Sequence, residues 1–322
     1  MKKRFTAIVG ATASGKSSLA LQLAKKYSGE IVSCDSMQIY KYMDVGTAKP
    51  SPEELAAVPH HLIDFVPPDG EYSAGDYAAD AAAAIDGVIS RGNLPIVCGG
   101  TFLYLDSLTE VSSLSESSKD EDLRKRLEKY ASENGNGALH EMLEGIDPES
   151  AAAIHENNVK RVIRAIEIYE TTGKTKSEWD RLSKENESRY SALRIAVSFH
   201  KRELLYRRID ERVDLMMENG LFEEARRLYE AGYLAPDMIA SQAIGYKEFI
   251  DCFEGKGSLE DAVGRIKQSS RNYAKRQLTW LKRYKDLHTI WRDTEEGVLK
   301  SADEVFADTE KILSDEGMTS GF

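Results

Sequence analysis

Short, mainly apolar runs punctuate the chain at Phe5 to Val9, Glu30 to Cys34, His61 to Phe65, Leu94 to Cys98 and Leu193 to Phe199. Runs without polar alternation suit strands buried on both faces, as in a parallel sheet with helices above and below. Between the first four lie segments with helical spacing, Lys16 to about Tyr27 and Gly75 to Ser90. Strands alternating with helices define an α/β fold. From about Ser112 to Tyr190 the pattern changes. No strand is expected there, and helices are expected at Asp120 to Glu133, at Gly137 to Leu143 and after Asp147-Pro148-Glu149, where Asp is placed to cap and Pro to start a helix. The strand at Leu193 resumes the first pattern, so the helical block interrupts a single core. Its edges, Ser112 to Ser118 and Ser183 to Ser188, have the polar composition of hinges. After the fifth strand only helices are expected, including one from Ser258 to about Lys285. The division expected is a discontinuous core of residues 1–111 and 191–322 around an inserted helical domain of 112–190.

Charge alters the picture in one region. The net charge of -11 disfavours a nucleic-acid partner for the chain as a whole. From Arg265 to Arg292, however, Arg265, Lys267, Arg271, Lys275, Arg276, Lys282, Arg283, Lys285 and Arg292 face a lone acid, Asp286, with Tyr273, Trp280, Tyr284 and Trp291 interleaved. Such a stripe suits a phosphate backbone and an unstacked base, although a solvated helix face has the same composition. Lys160, Arg161 and Arg164 form a second basic cluster. The cysteines Cys34, Cys98 and Cys252 lie too far apart to suggest a disulfide framework or a zinc site, which points to a reducing compartment. The apolar stretch after Lys2-Lys3-Arg4 is too short for a secretory or membrane segment, so a cytoplasmic location is expected.

The chemistry begins at the first turn. Gly10-Ala11-Thr12-Ala13-Ser14-Gly15-Lys16-Ser17 follows a strand and opens a helix, the two context requirements of a phosphate-binding loop. Its backbone N–H groups cradle phosphate oxygens, Lys16 neutralises them, and the Ser17 hydroxyl can hold Mg²⁺. The fold expected is therefore a P-loop NTPase-like parallel sheet flanked by helices, with an inserted all-helical domain and a helical C-terminal region. An ordinary ATPase of this kind places a metal-holding Asp at the end of another core strand. Here the strand Leu94 to Cys98 ends in Gly99-Gly100-Thr101. The carboxylate best placed for chemistry is Asp35, at the carboxyl end of Glu30 to Cys34, where ligands of open α/β sheets bind. It can take a proton or help position a metal, whereas a turn-forming Asp is the bland alternative. His60-His61 precedes a strand and reads as structural, since neighbours on a strand face opposite ways.

Taken together, these motifs resemble the tRNA dimethylallyltransferases, also called tRNA isopentenyltransferases. The resemblance rests on the phosphate loop, Asp35-Ser-Met-Gln38, Asp44 to Pro50, Pro59 to Asp64, Gly99-Gly-Thr101, Asn158 to Ala165, Gln242 to Glu248 and Tyr273 to Trp280. It implies that the loop holds the diphosphate of dimethylallyl diphosphate with Mg²⁺. It also implies an acceptor, the exocyclic N6 of the adenosine 3′-adjacent to the anticodon in tRNAs reading codons that begin with U. Asp35 then matches the general base and Thr101 a group at the reaction centre, with Lys16 on the leaving group. Implied contacts to the tRNA anticodon stem-loop are Asp35, Ser36, Met37, Gln38, Thr101, Arg124, Lys160, Arg161, Arg164, Gln242, Lys247, Lys275, Arg276, Gln277, Trp280 and Lys282. A monomer that binds no membrane is expected. Departures from the family pattern are Ala11 for Pro, Ser17 for Thr, Phe102 for Gly, and Gln242 where some members carry Arg. Rival readings are an adenylate isopentenyltransferase acting on a free nucleotide, a P-loop kinase or ATPase, and a non-catalytic RNA-binding protein.

Overall fold

The computed structural model describes residues 2–109, 120–185, 188–236 and 238–319, the side chains of 184 and 185 excepted. The expected hinge at Ser112 to Ser118 lies outside these residues, as do positions 186 and 187 of the second. Contacts divide the chain into two compact units, one of Met1–Ser73, Tyr77–Asp106 and Tyr190–Phe322, the other of Ala74–Asp76 and Ser107–Arg189.

The first unit is built on a six-stranded parallel sheet in the order β3-β2-β4-β1-β5-β6. Its strands are β1 Lys3–Gly10, β2 Gly29–Cys34, β3 His60–His61, β4 Leu94–Gly99, β5 Tyr190–Ser198 and β6 Leu287–Trp291. β2 and β4 are buried at every residue; β4 is apolar throughout, as burial on both faces requires, whereas β2 carries Glu30, which accepts from Arg91 and Asn93. α1 (Lys16–Lys26) covers one face through Leu19, Ala20 and Leu23, which pack with Ile8, Ile96 and Ile195. Further helices of this unit are α2 Pro52–Ala57, α3 Ala74–Ser90 and α4 Phe102–Thr109, the last two shared with the second unit at one end. A second cluster, with Tyr40, Met43, Tyr246 and Phe249 at its centre, forms where later helices meet the loops beyond the sheet's carboxyl edge.

Two strand expectations need correction. The third strand ends at His61, well short of Phe65, because Leu62 and Asp64 both take left-handed backbone angles of φ 60° and turn the chain off the sheet. Helices do not fill the whole region after β5, since β6 pairs parallel to it from Arg194↔Leu287 to Ser198↔Trp291. Only Ile290 of β6 is buried. An edge strand with one buried residue carries no apolar run to announce it.

The second unit is all helical: α5 Glu121–Asn134, α6 Asn136–Ile146, α7 Pro148–Ala153, α8 Val159–Thr172 and α9 Lys176–Glu185. Asp120 caps α5 by accepting from Leu123 N–H, and Asp147 caps α7 by accepting from Ser150 N–H. Its core joins Leu123, Leu127, Leu139, Leu143, Val162, Ile163 and Ile166. The first unit then continues through α10 Arg202–Glu218, α11 Leu221–Glu230, α12 Ile250–Phe253, α13 Leu259–Leu281 and α14 Ala302–Asp315.

Candidate active site

The loop from Gly10 to Ser17 joins β1 to α1, so the N-terminus of α1 opens at the carboxyl edge of the sheet. Ala13 adopts φ 61°, and Ser14 N–H closes the turn onto Ala11 O at 3.2 Å. Lys16 is buried, its Nζ donating only to Ala11 O at 3.4 Å. Burial holds its pKa below the usual lysine value; the nearby Cys98 raises it, Arg212 lowers it further and Asp35 opposes. The ammonium thus lacks an anionic hydrogen-bond partner among the described residues. Beside it opens a cavity of 310 Å³ lined by Lys16, Ser17, Arg208 and Arg212, with Glu211 the one acid among the described residues. Arg208 Nε is tied to Ala13 O at 3.1 Å, while Arg212 makes no hydrogen bond or ion pair among the described residues. Arg292 closes on Gly15, where an added Cβ would lie 3.8 Å from its guanidinium carbon, and its buried Nε has no hydrogen-bond partner among the described residues. Cations gathered round oriented N–H groups and short of counter-charge form a site for a polyanion.

Ser17, the residue singled out for Mg²⁺, is exposed at the start of α1 and lines the same cavity. No group of three or more His, Cys, Asp or Glu gathers into a metal cage among the described residues. This donor set suits a cation that keeps water and arrives with phosphate oxygens, as Mg²⁺ does.

Asp35 and Thr101 stand on neighbouring strand ends. Cys34 of β2 faces Gly99 of β4, and Thr101 N–H donates to Cys34 O at 3.1 Å. A Cβ at Gly99 would fall 2.0 Å from Cys34 O, so this approach admits only glycine. The Thr101 hydroxyl turns away from α4, which its carbonyl starts, accepts from Ser36 N–H at 3.0 Å and donates to Ser36 Oγ at 3.3 Å. Asp35 is half-buried, and its Oδ1 accepts from Met37 N–H at 2.9 Å. Its other carboxylate oxygen accepts no hydrogen bond among the described residues. Phe102 is buried and stacks on Trp280 at 6.4 Å, with Tyr284 edge-on at 6.2 Å, so its bulk packs into an aromatic cluster.

A second cavity, of 260 Å³, begins at Thr12, Asp35 and Arg212. Val213, Met216 and Ile266 give it an apolar wall, and Gln242, Lys247, Tyr273 and Arg276 line it as well. Arg212 borders both cavities. Lys247, Lys275, Arg276 and Lys282 are exposed, as are Lys160 and Arg161 of the helical unit. Other residues singled out for RNA are engaged within the protein. Gln38 donates to Thr47 O and Ala48 O at 3.2 and 3.1 Å. Trp280 Nε1 donates to Asp106 at 3.0 Å. Gln277 is buried, and its amide bridges Thr12 N–H and Gly100 O. Arg124 and Arg164 are both held by the buried Glu167.

A family model described as IPP transferase matches residues 38–284, more than half of the chain. The chain belongs to the IPP transferase family. Among its curated relatives, a tRNA dimethylallyltransferase of Acetivibrio thermocellus is 47% identical over 91% of this chain and 94% of its own. That of Carboxydothermus hydrogenoformans is 43% identical over 99% of both. Among solved structures, the full-length tRNA isopentenylpyrophosphate transferase of Bacillus halodurans superposes with a TM-score of 0.71 at 40% identity, covering 98% of this chain and 96% of the other. A eukaryotic dimethylallyltransferase described as acting on tRNA gives a TM-score of 0.82 at 31% identity, covering 97% and 80%.

Within this IPP transferase, two features of the site escaped the sequence reading. Arg208 and Arg212 stand four apart on α10, one helical turn, on either side of the buried Ile209. That spacing, close after a core strand, was the available signal. Glu224 of α11 is buried and accepts from the N–H groups of Asp44, Val45 and Gly46 at 3.0, 2.9 and 3.1 Å and from Tyr246 Oη at 2.8 Å. It thereby holds the loop that brings Gly46 and Thr47 to the second cavity. A Cβ at Gly46 would strike the Tyr246 ring at 2.5 Å. Glu224 shares a helix face with Leu221, Ala225 and Leu228, the spacing of a buried position.

Proposed function

We propose that this chain transfers a dimethylallyl group from dimethylallyl diphosphate to the exocyclic N6 of the adenosine 3′-adjacent to the anticodon, in tRNAs that read codons beginning with U, and releases diphosphate. The observation that carries this reading is the pair of cavities sharing Arg212: a cationic one on the phosphate loop and a partly apolar one that opens at Asp35. A prenyl donor joins both characters in one molecule.

In this reading Lys16, Arg212 and the loop N–H groups hold the diphosphate and take up the charge it gains on leaving. Mg²⁺ would be held by the Ser17 hydroxyl and the donor's own oxygens, and supplies further positive charge to the leaving group. The N6 lone pair forms the new N–C bond as the allylic C–O bond breaks, with that bond's electron pair departing on diphosphate. The N6 proton passes to the uncommitted oxygen of Asp35, and Thr101 fixes the turn that presents it. Val213, Met216 and Ile266 exclude water from a carbon with cationic character. An adenosine must leave its loop stack to reach that carbon. Exposed Lys247, Lys275, Arg276 and Lys282 are the side chains suited to the RNA backbone. With tRNA as acceptor, the cytoplasm is the compartment this reading implies, and the monomer is its working unit.

The test incubates the purified protein with labelled dimethylallyl diphosphate and unmodified tRNA, AMP or ATP. Label is expected in tRNA alone. Label in AMP with none in tRNA would replace the acceptor, and phosphate released from ATP would replace the reaction. Asp35→Ala is expected to lower turnover by about 10²–10⁴-fold, the usual contribution of a positioned base. Unchanged turnover in that variant would remove Asp35 from the mechanism while leaving the activity in place.

A further inference from the structure

The helix that carries Lys275 and Arg276 also supports the diphosphate loop. Ala274 of α13 is fully buried against Ala11 and Ala13 of that loop, and Leu278 joins the same cluster. One residue before Leu278, the Gln277 side chain accepts from Thr12 N–H at 2.9 Å and donates to Gly100 O at 3.0 Å. Tyr273, one turn earlier, directs its hydroxyl to the same Gly100 O at 3.4 Å. The fit is close: a Cβ at Gly100 would meet Gln277 Nε2 at 2.1 Å. Both ends of the Gln277 amide are therefore occupied by backbone, one from the loop before α1 and one from the turn that presents Thr101. The next residues back, Lys275 and Arg276, are exposed.

We propose that Gln277 is a positioning residue: it clamps the phosphate loop to the Gly99-Gly100-Thr101 turn, and it makes diphosphate affinity depend on the helix whose outer face receives the acceptor. An amide is suited to this role because it offers one acceptor and one donor to two backbone groups of opposite need. A carboxylate there would set an oxygen against Gly100 O, and an aliphatic side chain would leave both backbone groups unpaired in a buried place. The linkage is reciprocal. RNA bound on α13 steadies the loop, and diphosphate bound in the loop steadies α13, so each raises the affinity of the other by the same factor. The coupling rests on the proposed acceptor; the clamp does not.

The test uses full-length protein and three probes: inorganic diphosphate, a non-reactive thio-analogue of dimethylallyl diphosphate, and an unmodified tRNA anticodon stem-loop. In Gln277→Leu and Gln277→Glu, diphosphate affinity is expected to fall about tenfold, the scale of one lost hydrogen-bonded support. RNA affinity without donor is expected to stay within about twofold, as no exposed charge is removed. The cooperativity between analogue and RNA seen in wild type should shrink toward one. In turnover the loss should appear as a raised donor KM. Melting curves identify a variant that fails to fold, and Gln277→Glu, which keeps volume and the acceptor for Thr12, then decides. Unchanged diphosphate affinity in a folded variant overturns the proposal. Loss of RNA affinity without loss of diphosphate affinity also overturns it, and makes Gln277 an RNA contact. If wild type binds diphosphate but transfers no label to tRNA, the functional reading falls while the diphosphate result still decides the clamp.

Discussion

Glu224 and Glu167 are two buried carboxylates on helices of the two units, and they solve the cost of burial in different ways. Glu167 is fully buried and takes cations, accepting from Arg124 at 2.8 Å through two guanidinium nitrogens, from Arg164 at 2.6 Å and from Asp120 N–H at 2.9 Å. Glu224 takes no cation among its hydrogen bonds; its partners are three loop N–H groups and the Tyr246 phenol. One carboxylate binds helices to each other. The other shapes a loop at the edge of a cavity. The difference teaches that a basic cluster in sequence is no measure of charge available to RNA: in the helical unit Arg124 and Arg164 serve the fold, while Lys160 and Arg161 remain exposed.

Glu167→Ala should have the largest effect on stability. It removes the buried carboxylate that Arg124 and Arg164 both hydrogen-bond and should cost about 3 kcal/mol, the low end for a broken buried pair because both arginines keep some contact with water. Hydrogen exchange should quicken across α5 and α8, while diphosphate binding by the other unit persists. Equal loosening of the α/β unit would break the comparison.

The same ion pairs predict a pH signature. Burial pushes the Glu167 pKa up, but hydrogen bonds from Arg124, Arg164 and Asp120 N–H outweigh it, and the carboxyl is held below the ordinary glutamate value. A carboxyl with a depressed folded pKa binds its proton more readily when unfolded, so its stabilisation is complete above about pH 4.5 and is lost as pH falls below it. Acid unfolding of the helical unit, followed beside Glu167→Gln, should show this loss in wild type alone.

Glu224→Gln ranks next, at about 1–2 kcal/mol, since an amide keeps one acceptor and sets an NH₂ toward loop N–H groups. Its expected mark is a raised KM for donor and acceptor alike, because Gly46 and Thr47 line the second cavity, where the prenyl chain is proposed to meet N6. Unchanged KM values for both substrates would leave the loop out of the site. Lys160→Ala with Arg161→Ala should be the mildest for the fold, within about 0.5 kcal/mol. Binding to the anticodon stem-loop should weaken with a salt slope reduced by about one per contacted phosphate. An unchanged slope would leave these exposed charges without an RNA role.

The phosphate loop and the inner strands were legible in sequence because burial on both faces and a demand for close backbone approach admit few residues. Asp35 and Thr101 were legible as strand-end residues, although only the structure turns the Thr101 hydroxyl to Ser36 and leaves one Asp35 oxygen uncommitted. The partners of buried polar groups were not legible. Gln277 stands in a stripe of basic residues and reads as one more RNA contact, yet only its backbone partners define its place. Glu224 and Glu167 each stand on a helix that also carries other charged residues; their position on an apolar helix face was the trace in the sequence. β6 was missed because an edge strand with only Ile290 buried carries no apolar run.

The register of β1 carries a last consequence, for synthesis. β1 is an inner strand whose two neighbours are β4 and β5, and β5 matches it residue for residue from Lys3↔Tyr190 to Gly10↔Val197. The ribosome makes β1 first and this partner some 180 residues later, so one edge of the nascent sheet waits roughly ten to forty seconds at ordinary elongation rates. An unpaired inner strand is a template for joining other chains. What the ribosome makes in that interval includes the helical block, whose core closes among its own residues. Birth order therefore sets a hazard for this fold: an inner strand is left with one edge open until Tyr190 to Ser198 has been made.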